Sequence, residues 1–334
     1  MINETINNNI ISITSGSGLK YYIKRYIKII ITNILDLLYK IVIYFSKEKK
    51  IINQDIQKKK FYISICTVFK DEAVFLKEWI DYHLMQGVDH FYLYNNFSSD
   101  NYLEILFPYI NNNIVTLLDW PYEKAQIAAF EDCYRKYKDE TFWLTFIDVD
   151  EFFCPYYSET FKEWISKYEK YPSILVYWKM FGTSGKFYHN RNQYVIEQYT
   201  HSWEKCYCIG KQILNTTFTP ISIYHHYIYT EIRILRMKFK VPSMNEFGHF
   251  ITYPDINIVN RDFSIQLNHY WSKAYDEYIS KRNKGDVFYG KDAQTRTTEI
   301  FMNFEKRNKT IDVKIQRFLI KYKLYVKNKD QTNV

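Results

Sequence analysis

Two acidic residues separated by one position, in the run Asp148-Val149-Asp150-Glu151, follow directly on the apolar segment Thr141 to Ile147. Along an extended chain alternate side chains project to one side. Asp148 and Asp150 would therefore face the same way and repel unless a cation or a proton joined them. An all-oxygen pair favours a hard ion such as Mg²⁺ or Mn²⁺, and such ions commonly also bind substrate phosphates. A second reactive cluster lies in the run LNHYWSK, residues 267–273, with Lys281 eight residues on. His269 is a candidate third metal ligand or diphosphate contact, and Lys273 and Lys281 are candidates to offset charge on a departing nucleotide.

Such groups need a scaffold, and the chain preceding the acidic run supplies a regular one. Phe61 to Phe69 is a short, apolar, β-branched run expected to form a buried strand. Asp71 is placed to cap a helix whose Phe75, Leu76, Trp79, Ile80 and His83 share a face, and Gly87 offers its stop. His90 to Tyr94 reads as a second strand, followed by the polar loop NNFSSD. A short helix around Tyr102 to Leu106, a strand from Ile114 to Leu118, a helix from Glu123 to Tyr137 and the strand Thr141 to Ile147 complete the alternation. The order predicts an α/β fold with a doubly wound, mainly parallel sheet and ligands beyond the carboxyl ends of its strands. Asp148 and Asp150 stand at such an end. Further on, the run WKMFGTSG (178–185) sets two glycines around a polar turn, which would permit close backbone approach to a substrate.

Charge is distributed unevenly. Residues 1–60 carry 11 Lys/Arg against 4 Asp/Glu, and residues 301–334 carry 9 against 3, so the middle of this net +8 chain is acidic. A nucleic-acid binder would be expected to hold its positive charge on the working surface of its folded domain, so no nucleic-acid partner is expected. Tyr21 to Phe45 is apolar but interrupted by Lys24, Arg25, Lys28, Asp36 and Lys40, which disfavours a bilayer span. Ile27, Ile31, Ile34, Leu38, Ile41, Val42 and Phe45 recur at helical spacing, which suits either a helix lying in an anionic membrane interface or one docked on the protein's own core. The tail 313–327 has similar character. Cysteines at 66, 133, 154, 206 and 208 form no CxxC pair and no disulfide framework, so a cytoplasmic location is expected, with attachment to the inner face of the membrane.

Four ordered segments, CTVFKDEAVFLKEWIDYHLMQGVDHFYLYNN, DVDEFF, WKMFGTSG and LNHYWSK, resemble glycosyltransferase family 92, a relative of family 2. The resemblance spans about residues 62–290. It implies a GT-A-type Rossmann-like fold over 61–290, with a nucleotide-sugar half (61–155) and an acceptor half (156–290), flanked by the basic N-terminal segment 1–60 and a basic helical tail, 291–334. It also implies a nucleotide-sugar donor, such as UDP-galactose, a glycan or glycolipid acceptor, Mn²⁺ or Mg²⁺ at Asp148 and Asp150, and inversion at the anomeric centre. By the same resemblance Thr67, Phe69 and Glu72 would line the nucleobase and ribose pocket, and Asn95 and Asp100 would hold the nucleoside. His225-His226 echoes the family without a role. Glu197, Glu204 and Asp262 are candidates for the base that deprotonates the acceptor, with Glu197 preferred. A catalytically inactive binding protein of the same fold and a metal-dependent nucleotidyl- or phosphotransferase are the alternatives.

Overall fold

The computed structural model describes residues 2–6, 10–15, 18–45, 56, 58–234, 237–252, 261–285, 287–290 and 295–332. The linker expected over 51–60 falls outside them except at residues 56 and 58–60.

Eight strands form the central sheet: β1 (Phe61–Phe69), β2 (His90–Asn95), β3 (Val115–Asp119), β4 (Thr141–Phe146), β5 (Glu151–Pro155), β6 (Ser173–Met180), β7 (Gly210–Asn215) and β8 (Ile265–His269). Their order is β3-β2-β1-β4-β7-β6-β8-β5. The first four pair in parallel. Strand β7 runs antiparallel to both β4 and β6, β8 is parallel to β6, and β5 closes the sheet antiparallel to β8. The chain steps outward from β1 to β3 and then returns to β4 on the other side of β1. Where strand order reverses in this way, a crevice opens at the carboxyl ends, and β1 and β4 flank it here.

The connecting helices are α1 (Ala73–Met85), α2 (Tyr102–Asn111) and α3 (Gln126–Tyr137). Phe75, Leu76, Trp79, Ile80 and His83 of α1 are all buried, as their spacing predicts, and the helix ends before Gly87 at φ 88°. Its start differs from expectation. Glu72, not Asp71, is the N-cap residue, and the Ala73 amide donates to Asp100 Oδ2 at 2.8 Å, so the cap is supplied across a loop. Asp71 instead accepts from the Ser99 amide at 2.6 Å. The helix α2 continues past Leu106 to Asn111 with Pro108 inside it.

Gly182 is tightly packed for a reason other than substrate approach. A Cβ there would lie 1.7 Å from Asn308 Nδ2, and the neighbouring Thr183 amide donates to Glu305 Oε1 at 3.1 Å. The turn is packed against the C-terminal region. That region also closes over α1: the C-terminal helix Leu319–Thr332 buries Tyr322 beside Tyr82 and sets Lys329 Nζ 2.5 Å from the buried Asp81. On the other flank a three-stranded antiparallel sheet, Thr219–Ile223, Ile228–Ile234 and Met237–Pro242, seats the long N-terminal helix Leu19–Phe45. Among the described residues, no helix is long and apolar enough to cross a membrane.

Candidate active site

Strand pairing alone brings the two chemical clusters together. In the antiparallel register of β8 with β5, His269 sits opposite Glu151, at the start of the strand that the acidic run leads into. The Glu151 amide donates to the Asp148 carbonyl and the Asp148 amide to Glu151 Oε2, which folds the run into a tight turn at the end of β4. The Tyr270 amide donates to the Asp150 carbonyl at 2.9 Å and ties the turn to the end of β8.

Each carboxylate of the pair meets its own lysine. Lys211, on β7, lies 2.8 Å from Asp148 Oδ2 and 3.8 Å from Glu151 Oε2, and Gln126 Nε2 donates to Asp148 Oδ1 at 3.1 Å. Lys281 belongs to helix α4 (Tyr275–Lys284); its Nζ is 2.5 Å from Asp150 Oδ2 and 3.7 Å from Glu72 Oε1. His269 Nε2 faces Asp150 Oδ1 at 3.6 Å, and its ring packs on Trp178. Lys273 is buried over the Phe75 ring, with Glu72 Oε2 3.8 Å away.

Burial and charge set the protonation of these groups. Burial pushes the Asp150 carboxyl up, but Lys281, His269 and Lys273 more than offset it and hold it well below the usual carboxylate range. Burial raises Glu151 well above that range despite Lys211. His269 is lowered to about 4 by burial, against the pull of Asp150 and Asp148, so its ring is neutral at pH 7. Lys273 falls to about 8 through burial and repulsion by Lys281. Burial would lower Lys211 and Lys281, yet the facing carboxylates raise both.

Asp148, Asp150, Lys211, His269 and Lys281 border a cavity of about 280 Å³ at the carboxyl ends of β1 and β4. Of the residues singled out in the sequence, Phe69, Glu72, Asp148, Asp150, His269 and Lys281 line it. Thr67, Asn95, Asp100, Lys273 and Glu197 do not. The Asn95 side-chain nitrogen donates to Tyr102 and Asp119, and Asp100 Oδ2 accepts from the Ala73 amide at the start of α1, while its Oδ1 is buried without a hydrogen-bond partner. The preference for Glu197 as base is corrected by its placement, because its carboxylate pairs with Lys323 of the C-terminal helix at 2.8 Å. Glu204 and Asp262 line a separate cavity with Lys179 and Lys314.

Sequence reading missed Lys211, Gln126 and Lys284, and it left His225 and His226 without a role although both line the cavity. The run Gly210–Asn215, GKQILN, is half polar and gave no signal for Lys211; only the structure shows all six residues buried, where an ammonium demands a carboxylate. The lining includes Lys70, Lys211, Lys281, Lys284 and Arg296 against Glu72, Asp148 and Asp150, so its balance favours an anionic ligand. Phe69, Trp178, Trp271 and Phe288 provide ring faces beside those charges.

Residues 59–286 match the family model of glycosyltransferase family 92, and the match takes in β1, the acidic turn, β8 and α4. The chain belongs to glycosyltransferase family 92. A family 92 protein of Ricinus communis is 41% identical over 95 residues, which cover 28% of this chain and 16% of that protein. One of Oryza sativa subsp. japonica is 32% identical over 123 residues, covering 36% and 21%. The matched stretches thus span 16% and 21% of these two relatives' length. Among solved structures, residues 1–349 of S. aureus TarS align over 74% of this chain and 71% of that one, with 12% identity and a TM-score of 0.32.

Proposed function

We propose that the protein transfers a hexosyl group from a nucleotide sugar, in the first instance a UDP-hexose such as UDP-galactose, to a hydroxyl of a glycan or glycolipid. The observation that carries this reading is the cavity at the strand-order reversal. It joins an acidic pair to lysines on two other elements and to ring faces suited to a nucleoside. Family membership gives the reaction class; the cavity supplies its chemistry.

In the reaction the acceptor oxygen forms a bond to the anomeric carbon from the face opposite the diphosphate, the carbon–phosphate-oxygen bond breaks, and the nucleoside diphosphate leaves. Negative charge grows on the leaving group, where Lys281 and Lys211 are placed to neutralise it. The acceptor proton passes to a base in the cavity, for which Glu72 and His226 are the lining candidates once Glu197 is set aside.

Two carboxylates and a neutral imidazole, Asp148, Asp150 and His269, form a donor set that fits Mn²⁺ or Mg²⁺. His269 also keeps its Nδ1 buried without a hydrogen-bond partner. With each carboxylate paired to a lysine, no three such side chains converge on one point among the described residues. Those three residues would hold the ion, which when bound supplies further charge neutralisation at the diphosphate. A panel of sugar nucleotides scored for donor hydrolysis with and without Mn²⁺ tests the proposal. Sugar must appear in the product. Nucleotide in the product would instead indicate nucleotidyl transfer, and Asp150→Ala turning over donor at near native rates would remove the acidic pair from the mechanism.

A further inference from the structure

The N-terminal helix Leu19–Phe45 sits on the protein through a mixed side, two polar residues and a short apolar patch, and leaves most of its apolar residues outside. Asp36 accepts from the Phe250 amide at 2.9 Å and lies 3.0 Å from His249 Nδ1, while Thr252 Oγ1 donates to Thr32 Oγ1 at 2.8 Å. Tyr39 packs edge-on against Phe250, and Val42 and Ile43 complete the contact with Ile232 and Val241 of the three-stranded sheet. The opposite side is apolar. Tyr22, Tyr26, Ile27, Ile34, Leu37 and Leu38 are each at least half exposed, among twelve large apolar residues that the helix turns outward. A helix on a protein in water shows the reverse arrangement, with its apolar stripe buried and its polar face outward.

At 1.5 Å per residue this face runs for about 40 Å, far beyond the patch a water-facing surface tolerates. Lys40 Nζ is held by Asp36 at 3.0 Å, whereas Lys20 and Lys24 are exposed along this face. Their stems can lie against hydrocarbon while the ammonium groups reach phosphate oxygens. A second copy fits less well, since a self-paired apolar face would give Lys20 and Lys24 no counter-charge, whereas anionic headgroups complement them. We propose that the outward face of Leu19–Phe45 inserts in the plane of an anionic bilayer, at the boundary between headgroups and acyl chains, with the domain seated above it through the three-stranded sheet. The helix lies flat because its inward side is already occupied by protein.

The test is flotation of the full chain with phosphatidylcholine vesicles, with and without phosphatidylserine, beside the variant Ile27→Asp/Ile34→Asp/Leu38→Asp, which leaves the docked side intact. The native protein should float with the anionic vesicles and lose about thirtyfold in affinity without the anionic lipid, as Lys20 and Lys24 near the surface contribute about 1 kcal/mol each. The variant should stay in the soluble fraction with an unchanged melting temperature. Should it fail to fold, Lys20→Glu/Lys24→Glu serves instead and should abolish the preference for phosphatidylserine. Equal flotation of native and substituted proteins overturns the proposal. So does a native protein that ignores vesicles and sediments as a dimer that the substitutions dissociate. The outcome is independent of transfer activity.

Discussion

At the scale of single residues, the site is a set of charges whose states depend on one another. His269 decides between two readings of its motif. As a donor-site residue, His269→Ala should lower UDP affinity measured calorimetrically with Mn²⁺ at least tenfold and leave the melting temperature little changed; unaltered affinity in a folded variant would return it to a structural role. His83 offers a second, purely energetic test. It is fully buried, its Nδ1 is bonded to the Trp79 carbonyl, and burial lowers it to about 3. A histidine with a depressed folded value is protonated more readily in the unfolded chain, so its cost is absent above about pH 6.5 and grows as pH falls below that. His83→Leu removes this linkage. Relative to the native protein the variant should gain about 2 kcal/mol between pH 7 and pH 5, read by urea denaturation, because each pH unit below 6.5 is worth about 1.4 kcal/mol. Raised carboxylates such as Glu78 act in the opposite direction, but they are common to both proteins and cancel in the difference.

At the scale of elements, local signals and long-range ones part company. The segments from β1 to β4 were legible because alternating apolar runs and 3.6-residue periodicity act within a dozen residues, and the ligand-binding crevice follows from their order. Asp148, Asp150, His269 and Lys281 were legible as motifs, and they line the cavity. The insertion of β7 between β4 and β6 was not legible, since pairing over more than sixty residues leaves no spacing to read. With it went Lys211. Glu197 was preferred on type alone, and nothing local records that the C-terminal helix folds back to meet it. Asp100 illustrates the same limit: it sits in a loop expected to hold nucleoside, yet its carboxylate caps α1. Asp100→Ala should therefore cost about 1 kcal/mol of stability, the usual worth of a helix cap, with UDP affinity unchanged in calorimetry. Gly182→Ala should cost about 1–3 kcal/mol by forcing a methyl group into Asn308, measured as a lowered urea midpoint.

At the scale of the whole molecule, the three-stranded sheet links the N-terminal helix to the site. Its central strand, Ile228–Ile234, and Val241 of the strand beside it receive the helix, while the turn between Ile223 and Ile228 carries His225 and His226 into the cavity. A bilayer under the helix would thus hold the cavity at a set height and tilt, provided the helix stays docked. Asp36 ties the helix to His249 and Phe250. It is 9% exposed, and burial pushes its carboxyl up while His249, the Phe250 amide and Lys40 more than compensate, so it is held below its ordinary value. Asp36→Ala leaves the Phe250 amide and the His249 ring without their acceptor at a buried contact, while the outward apolar face is untouched. The expected outcome is a separation of two properties that the native protein combines. Amide hydrogen exchange should rise at least tenfold through Leu19–Phe45 and around Phe250 and remain native in β1 and β4, whereas flotation with anionic vesicles should persist. Exchange that stays native in the helix would show that Tyr39, Val42, Ile43 and the Thr252–Thr32 hydrogen bond keep it seated without Asp36; flotation lost along with docking would show that the helix needs the sheet behind it to present its apolar face.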